Sequence, residues 1–238
     1  MRLSIILPAY NEEKKIKQSI KEIQETLGEF TGFFEIIIVN DGSKDNTHEK
    51  AKECASLTVR VLTYDQNRGK GYAIRSGMKE AKGKYCLFMD VDLSTSLEAI
   101  PRFLDKMEQK NCDVIVGTRK SPGANLQVKQ PFYRIFLGNV FTSLAGLLTS
   151  CPLSDFTCGF KMYTKEAARL IFDRQRIFNW AFDAELIFIA ARHKLRIEEL
   201  PVTWRNNPDT KVRLFRDITT SLLGLIAMRF NDLRGFYR

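Results

Sequence analysis

Histidine is nearly absent from this chain: of 238 residues, only His48 and His193 carry an imidazole. That excludes a histidine-rich metal centre and leaves a Ser-His-Asp triad little to choose from. His193, between Arg192 and Lys194, reads as a solvated helix-end residue rather than a base. The five cysteines, Cys54, Cys86, Cys112, Cys151 and Cys158, are odd in number, form no Cys-x-x-Cys pair and lie mostly in apolar segments. Such usage fits reduced cytosolic thiols and argues against a disulfide framework or a zinc site. Long hydrophobic runs are missing too. The longest apolar stretches, Ile135 to Leu148 (interrupted by Asn139) and Ile218 to Met228, fall short of the roughly 20 residues that span a bilayer. No signal segment is visible, since Arg2 leads straight into a strand and an asparagine-glutamate turn. The expectation is a cytoplasmic protein, not transmembrane, lying at most on the cytoplasmic face of a membrane. No internal repeat, low-complexity tract or glycine-serine linker marks a domain boundary.

Basic residues are plentiful: 37 lysines and arginines against 28 acids give a net charge of +9. This suggests an anionic partner, whether nucleotide, phosphorylated substrate, membrane surface or nucleic acid. The 44% hydrophobic content can furnish a substantial core for one catalytic-sized domain.

Through the first half, apolar runs alternate with helical patterns. Strands are predicted at 3–7, 34–40, 59–64, 85–89 and 113–117, with helices from about Glu12 to Leu27, from Asp45 to Ser56, and at 70–81 and 97–109. Alternation of this kind predicts an α/β fold, a mostly parallel sheet with helices on both faces. Asn11 precedes the first helix, Ser43 and Asp45 the second, and Ser94, Thr95 and Ser96 the fourth, all as caps. The second half is less regular. A long connection from Lys120 to Pro131 leads to an amphipathic segment at 132–148, then a loop with Asp155, a strand from Gly159 to Tyr163, helices at 164–172 and 183–193, and a strand at 197–204.

Polar clusters end three of the early strands: Pro8-Ala9-Tyr10-Asn11-Glu12-Glu13, Val39-Asn40-Asp41-Gly42-Ser43 and Asp90-Val91-Asp92. Ligands of such sheets bind beyond the carboxyl ends of the strands. An acidic pair there can hold a hard divalent cation and, through it, a diphosphate. Helix capping explains each helix start alone, but not Asp41 and Asp90, which stand before the caps.

With these motifs in hand, the chain resembles the family 2 glycosyltransferases of GT-A fold. Pro8 to Glu12, Asp41-Gly42-Ser43 and Asp90-Val91-Asp92 match the superfamily, and Asn67-Arg68-Gly69-Lys70-Gly71 is similar to its nucleotide-side loop. Asp155 to Lys161, Trp180 to Leu186, Val202-Thr203-Trp204 and Lys211 resemble the dolichyl-phosphate β-glucosyltransferase branch more than the mannosyl branch. The chain departs from the pattern at Asn40, where many relatives have an acid, and at Asn206-Asn207-Pro208, where relatives carry a glycine-containing loop.

The resemblance implies a UDP-sugar donor, Mg²⁺ or Mn²⁺, and a polyprenyl or dolichyl phosphate acceptor. Pro8, Tyr10, Glu12, Asp41, Lys70, Asp90, Val91, Asp92, Arg205 and Lys211 then fall on the donor side, with Asp41 reading the uracil imide. Asp92 is the implied direct metal ligand, and Asp90 contacts the ribose or the metal's water shell. Lys70, Arg119 and Lys211 would supplement the cation against charge on the departing UDP. An acceptor phosphate is already anionic, so it needs cations to hold it in line more than a base. Arg119 and Arg134 are the choices for that task, and Asp155, a base in relatives with hydroxyl acceptors, would position instead. Trp180, Asp183 and Glu185 are assigned to substrate, although Asp183 equally suits a helix cap.

Residues 1–212 are read as the catalytic domain and 213–238 as an amphipathic helical extension. Phe132, Phe136, Val140, Leu144 and Leu147–Leu148 share one helical face, as do Phe215, Ile218, Leu222, Leu225–Ile226, Phe230 and Leu233, the latter flanked by Arg213, Arg216, Arg229, Arg234 and Arg238. These are interfacial helices of the kind that lie on anionic lipid, or stripes that pack onto the core or a second subunit. Competing donors are UDP-N-acetylglucosamine and GDP-mannose, and a competing acceptor is one of cell-surface polysaccharide or glycoprotein synthesis. A nucleotidyltransferase is a second enzyme class, invited by Val116-Gly117-Thr118-Arg119 but lacking a glycine-rich signature at the first strand. A basic module binding membrane or nucleic acid has no helix-turn-helix, zinc or aromatic RNA motif behind it, so no nucleic-acid partner is expected.

Overall fold

The computed structural model describes residues 2–30, 33–110, 112–127, 132–205 and 214–238. Strands β1 (Leu3–Ala9), β2 (Phe34–Asp41), β3 (Val59–Tyr64), β4 (Tyr85–Met89), β5 (Val114–Thr118), β7 (Phe160–Thr164) and β8 (Ile197–Pro201) form one seven-stranded sheet in the order β3-β2-β1-β4-β7-β5-β8. All neighbours pair in parallel except β7, which runs antiparallel to both β4 and β5. The predicted α/β architecture is therefore present, with one strand reversed at its centre.

Helices α1 (Ile16–Phe30) and α4 (Ala99–Lys110) cover one face, while α3 (Lys70–Glu80), α6 (Lys165–Arg174) and α7 (Phe182–Arg192) cover the other. Alternate residues of each strand feed the two cores, as the pleat requires: Ile5, Leu7, Ile36 and Leu87 on one side, Ile6, Ile37, Val39 and Phe88 on the other. The short α2 (Thr47–Lys52), α5 (Phe132–Thr149) and α8 (Leu214–Leu233) complete the described helices.

Several boundaries differ from expectation; the second helix, for one, is confined to Thr47–Lys52. The first helix begins at Ile16 rather than Glu12. The amides of Asn11, Glu12 and Glu13 are taken instead by Ser43 Oγ, Thr47 Oγ1 and Asp45 Oδ2 at 3.0, 2.7 and 3.2 Å, so side chains after β2 hold this turn out of the helix. Asn11 is not a plain cap. It sits at φ +52°, and its Oδ1 accepts from the Lys44 amide at 2.8 Å. The strand expected over 197–204 breaks at Val202. Pro201 ends the pairing with β5, and β9 (Thr203–Trp204) then pairs with β6 (Asn125–Leu126), a strand hidden in the long connection after Lys120.

The carboxyl-end segment is joined to the core. Leu225, Met228 and Tyr237 are buried in the same cluster as α7, and Arg192 Nε pairs with Asp232 Oδ1 at 2.9 Å. Of the predicted apolar stripe on α8, Leu225 therefore packs inward, whereas Leu222, Ile226, Phe230 and Leu233 are exposed, and Leu223 with them. On α5, Phe136, Val140, Leu144 and Leu147 are exposed, while Leu148 packs on the core. Among the described residues, no helix is long and apolar enough to cross a membrane.

Candidate functional site

The carboxyl ends of β2, β1 and β4 are consecutive in the sheet, so the three polar clusters meet along one edge. Pro8 and Tyr10, at the end of β1, lie beside Val39 to Asp41 of β2. Asp41 is 3% exposed and holds the loop after β3. Its carboxylate accepts from Asn67 Nδ2 at 3.0 Å and from the amides of Arg68 and Gly69 at 2.8 and 3.0 Å. Burial pushes its pKa up against those hydrogen bonds. Gly42 sits at φ +63°, where an added Cβ would lie 2.6 Å from the Asn67 amide nitrogen, so only glycine lets loop and strand end approach this closely.

The Asp90 to Leu93 segment is a tight turn, closed by the Leu93 amide on the Asp90 carbonyl at 3.2 Å, with Leu93 at φ +50°. Val91 is buried, and its carbonyl accepts from Ser19 Oγ at 2.6 Å, which anchors the turn to α1. Asp90 and Asp92 on either side stay partly exposed. Asp90 Oδ1 pairs with Lys70 Nζ at 2.5 Å, and Asp92 Oδ1 accepts from the Ser94 amide at 3.0 Å. Gly159, reached by the start of β7, lies against Asp90: a Cβ there would come within 2.7 Å of its Cγ. Among the described residues no group of three or more His, Cys, Asp or Glu forms a protein-only cage. Two partly exposed carboxylates on one turn fit a hard cation that completes its shell with water and phosphate oxygens.

Arg119 and Asp155 are one unit. Arg119 follows β5, and its Nε and Nη2 donate to Asp155 Oδ2 and Oδ1 at 2.7 and 2.8 Å, while Nη2 also reaches Thr157 Oγ1 at 2.9 Å. The Trp204 ring lies 5.3 Å from the guanidinium. Asp155 is fully buried; desolvation alone would raise its pKa, but the Arg119 charge and hydrogen bonds outweigh that and hold it below the usual carboxylate range. So buried and paired, the carboxylate holds the Arg119 guanidinium in place. Glu199, which the sequence reading missed, supports the arrangement by accepting from Ser154 N and Oγ at 2.9 and 2.8 Å and from Asp155 N at 3.2 Å.

Asp183 and Glu185 need correction. Asp183 is 4% exposed and pairs with Lys161 Nζ at 2.5 Å; the residue preceding the helix is Ala181, so Asp183 is not its cap. Lys161, fully buried in β7, also donates to the Cys158 carbonyl at 2.7 Å. Its only signal in sequence is a single lysine between apolar neighbours. Glu185 is fully buried on the far side of α7 from Asp183's partners and bonds to Arg176, Ile177 and Tyr237, so it lines no cleft. Trp180 is 38% exposed just before α7. The Arg205 amide donates to the Ser94 carbonyl at 2.8 Å, which brings the strand after Val202 to the acidic turn. Lys211 and Arg213 lie outside the described residues. So do the side chains of Phe132, Arg134, Phe215, Arg216 and Ile218, although Arg134 falls in the first turn of α5.

Residues 4–172 match the family model described as glycosyl transferase family 2. A dolichyl-phosphate β-glucosyltransferase of Dictyostelium discoideum is 32% identical over 99% of this chain and 76% of its own length. The human protein of that name is 32% identical over 100% of this chain and 78% of its own. Among solved structures, glucosyl-3-phosphoglycerate synthase from Mycobacterium tuberculosis, in complex with Mn²⁺ and UDP-glucose, superposes with a TM-score of 0.69 at 17% identity, over 96% of this chain and 78% of that one. That likeness is one of fold.

Proposed function

We propose that this chain, which belongs to glycosyl transferase family 2 and is a glycosyltransferase, moves glucose from UDP-glucose to dolichyl or another polyprenyl phosphate with inversion at the anomeric carbon. The observation that carries the reading is the meeting of Asp41, Lys70, Asp90 and Asp92 at the carboxyl edge of the sheet, the same edge at which β5 delivers the Arg119–Asp155 unit. The names of the curated relatives support the acceptor and the sugar, and the Mn²⁺ and UDP-glucose complex of the solved neighbour supports the donor and the metal.

Asp92 and Asp90 would hold Mg²⁺ or Mn²⁺, whose contribution when bound is to neutralise charge on the departing diphosphate. Asp41 and the loop it grips would seat the uracil, a carboxylate matched to an imide N–H. Lys70, released from Asp90, would turn its ammonium to the diphosphate. The acceptor phosphate attacks as the anion it already is, and Arg119, held rigid by Asp155, with Arg134 from α5, would keep it in line. Attack opposite the leaving UDP converts an α-linked donor into a β-linked lipid phosphate. Phe136 and Leu147 of α5, with Leu223, Ile226, Phe230 and Leu233 of α8, expose an apolar surface suited to the cytoplasmic face of a membrane, where such an acceptor resides.

The test is transfer of labelled sugar from UDP-glucose, UDP-N-acetylglucosamine or GDP-mannose into polyprenyl phosphate with Mg²⁺ or Mn²⁺. Metal-dependent lipid product from UDP-glucose is expected. Asp92→Asn should lower it at least ~100-fold, the order of effect of several kcal/mol lost from the transition state, with unfolding unchanged. Product from another donor alone would replace the sugar, and none from any donor would remove the acceptor.

A further inference from the structure

Glu185 touches nothing in the cleft, yet its carboxylate is fully buried and fully engaged. Oε1 accepts from the Arg176 amide and Oε2 from the Ile177 amide, both at 2.9 Å, and Oε1 also accepts from the Tyr237 hydroxyl. Tyr237 comes from the segment after α8 and is itself pinned. Its hydroxyl accepts from Asn231 Nδ2 at 3.2 Å, its carbonyl accepts from His193 Nε2 at 2.8 Å, and its ring meets Phe188 edge-on with centroids 5.6 Å apart. Keeping a carboxylate at such a depth requires partners for its lone pairs, and here two separate stretches of chain supply them.

The stretch gripped at 176–177 supports the start of α3. Gln175 Nε2 donates to the Gly71 carbonyl at 3.2 Å and to the Ile177 carbonyl at 3.0 Å. A Cβ at Gly69 would meet the Phe178 carbonyl oxygen at 2.9 Å, and one at Gly71 would meet Phe182 Cβ at 2.8 Å and Phe178 Cα at 3.0 Å, so Phe178 and Phe182 take the space those side chains would need. Tyr72 meets the Phe178 ring edge-on at 5.3 Å. Gly69 in turn donates to Asp41, and Lys70 pairs with Asp90. Direct contact thus runs from Tyr237 through Glu185 and 175–178 to the loop at 67–71.

We propose that Glu185 is a positioning residue for the nucleotide side of the cleft, a three-point clamp through which the segment after α8 fixes the loop at 67–71 and, with it, Asp41 and Lys70. Calling that side the nucleotide side rests on the function proposed above; the clamp itself is a property of the fold.

The experiment is Tyr237→Phe in the full chain, which removes one hydroxyl and keeps the ring. Amide hydrogen exchange at Arg68 and Gly69 should quicken by up to about tenfold, the size set by one lost hydrogen bond. The KM for the sugar nucleotide should rise several-fold while the acceptor KM stays unchanged, a split that general destabilisation would not produce. Glu185→Gln, which keeps one acceptor oxygen, should restore part of what Glu185→Ala loses at Arg68 and Gly69. Quickened exchange confined to 176–178 and 234–238 would overturn the clamp. A wild-type chain that binds no UDP would dispose of the donor assignment, while the exchange data would still decide the clamp.

Discussion

Lys70 Nζ stands 2.5 Å from Asp90 Oδ1, so one of the two acids at the end of β4 is already paired with a lysine from the preceding helix, α3. A divalent cation arriving at that turn meets a resident positive charge that must give way. At this range the ammonium repels the incoming metal.

Lys70→Met should therefore bind Mn²⁺ several-fold more tightly than the wild type while transferring sugar more slowly, because the charge lost is the one proposed above to turn to the diphosphate. Calorimetric titration of Mn²⁺ beside a rate measurement checks both arms. Weaker Mn²⁺ binding in this variant would mean that Lys70 serves chiefly to orient Asp90.

Asp155→Asn breaks a pair whose acid is fully buried and whose arginine is mostly so. Removing one partner of a buried pair costs about 3–5 kcal/mol, and urea unfolding should show a loss of that order. Because the folded pKa of Asp155 is held down, the pair stabilises fully above the ordinary carboxylate range and is lost as pH falls below it. The wild type should lose stability below about pH 4, and Asp155→Asn should show less of that loss.

Glu185 has the opposite sign. Burial pushes its pKa up to about 7, against hydrogen bonds from Tyr237 and the amides of Ile177 and Arg176 and the nearby Arg176 charge. The folded chain therefore binds this proton more tightly than the unfolded chain. Stability is fully present below the ordinary glutamate value and declines as pH rises to about 7. The decline should amount to roughly 3 kcal/mol. Unfolding free energies measured between pH 5 and 8 should flatten in Glu185→Gln.

Ile226→Glu and Phe230→Glu place charge on α8 side chains that are 65% and 52% exposed, so folding should change little. Flotation with vesicles of anionic lipid should fall sharply, as should transfer to a long-chain acceptor, whereas a short water-soluble phosphate should be used as well as by the wild type. Unchanged flotation would move the membrane surface elsewhere.

The sheet was legible because parallel strands buried on both faces read as unbroken apolar runs, such as Ile36-Ile37-Ile38-Val39. Asp41, Asp90 and Asp92 were legible for the same reason: a charge directly after such a run marks its ligand-side end. What escaped notice depends on distant partners. β6 is two residues long and exists only because Thr203 and Trp204 pair with it. The break at Val202 follows from that pairing as much as from Pro201. Glu185 looked like a pocket acid because nothing near it in sequence reveals Tyr237, 52 residues away. Lys161 and Asp183 form a buried pair across 22 residues, and neither position signals the other. On α8, the core-packing reading of the apolar stripe holds for Leu225, with Met228 beside it, while Ile226 and Phe230 face outward, a division that only the tertiary contacts of the helix decide.

The reversed strand has a consequence for how this architecture diversifies. Because β7 lies between β4 and β5, the chain leaves the sheet after Thr118 and re-enters at Phe160 on the adjacent strand. Everything between, including Arg119, α5 and Asp155, leaves and rejoins the sheet on neighbouring strands, and is tied elsewhere through β6 to β9 and through Ser154 to Glu199. Closing a longer or shorter excursion there costs little, since loop-closure entropy grows only slowly with length. The excursion is in effect a graftable cassette. Its length can change without shifting the register of β1, β2 and β4.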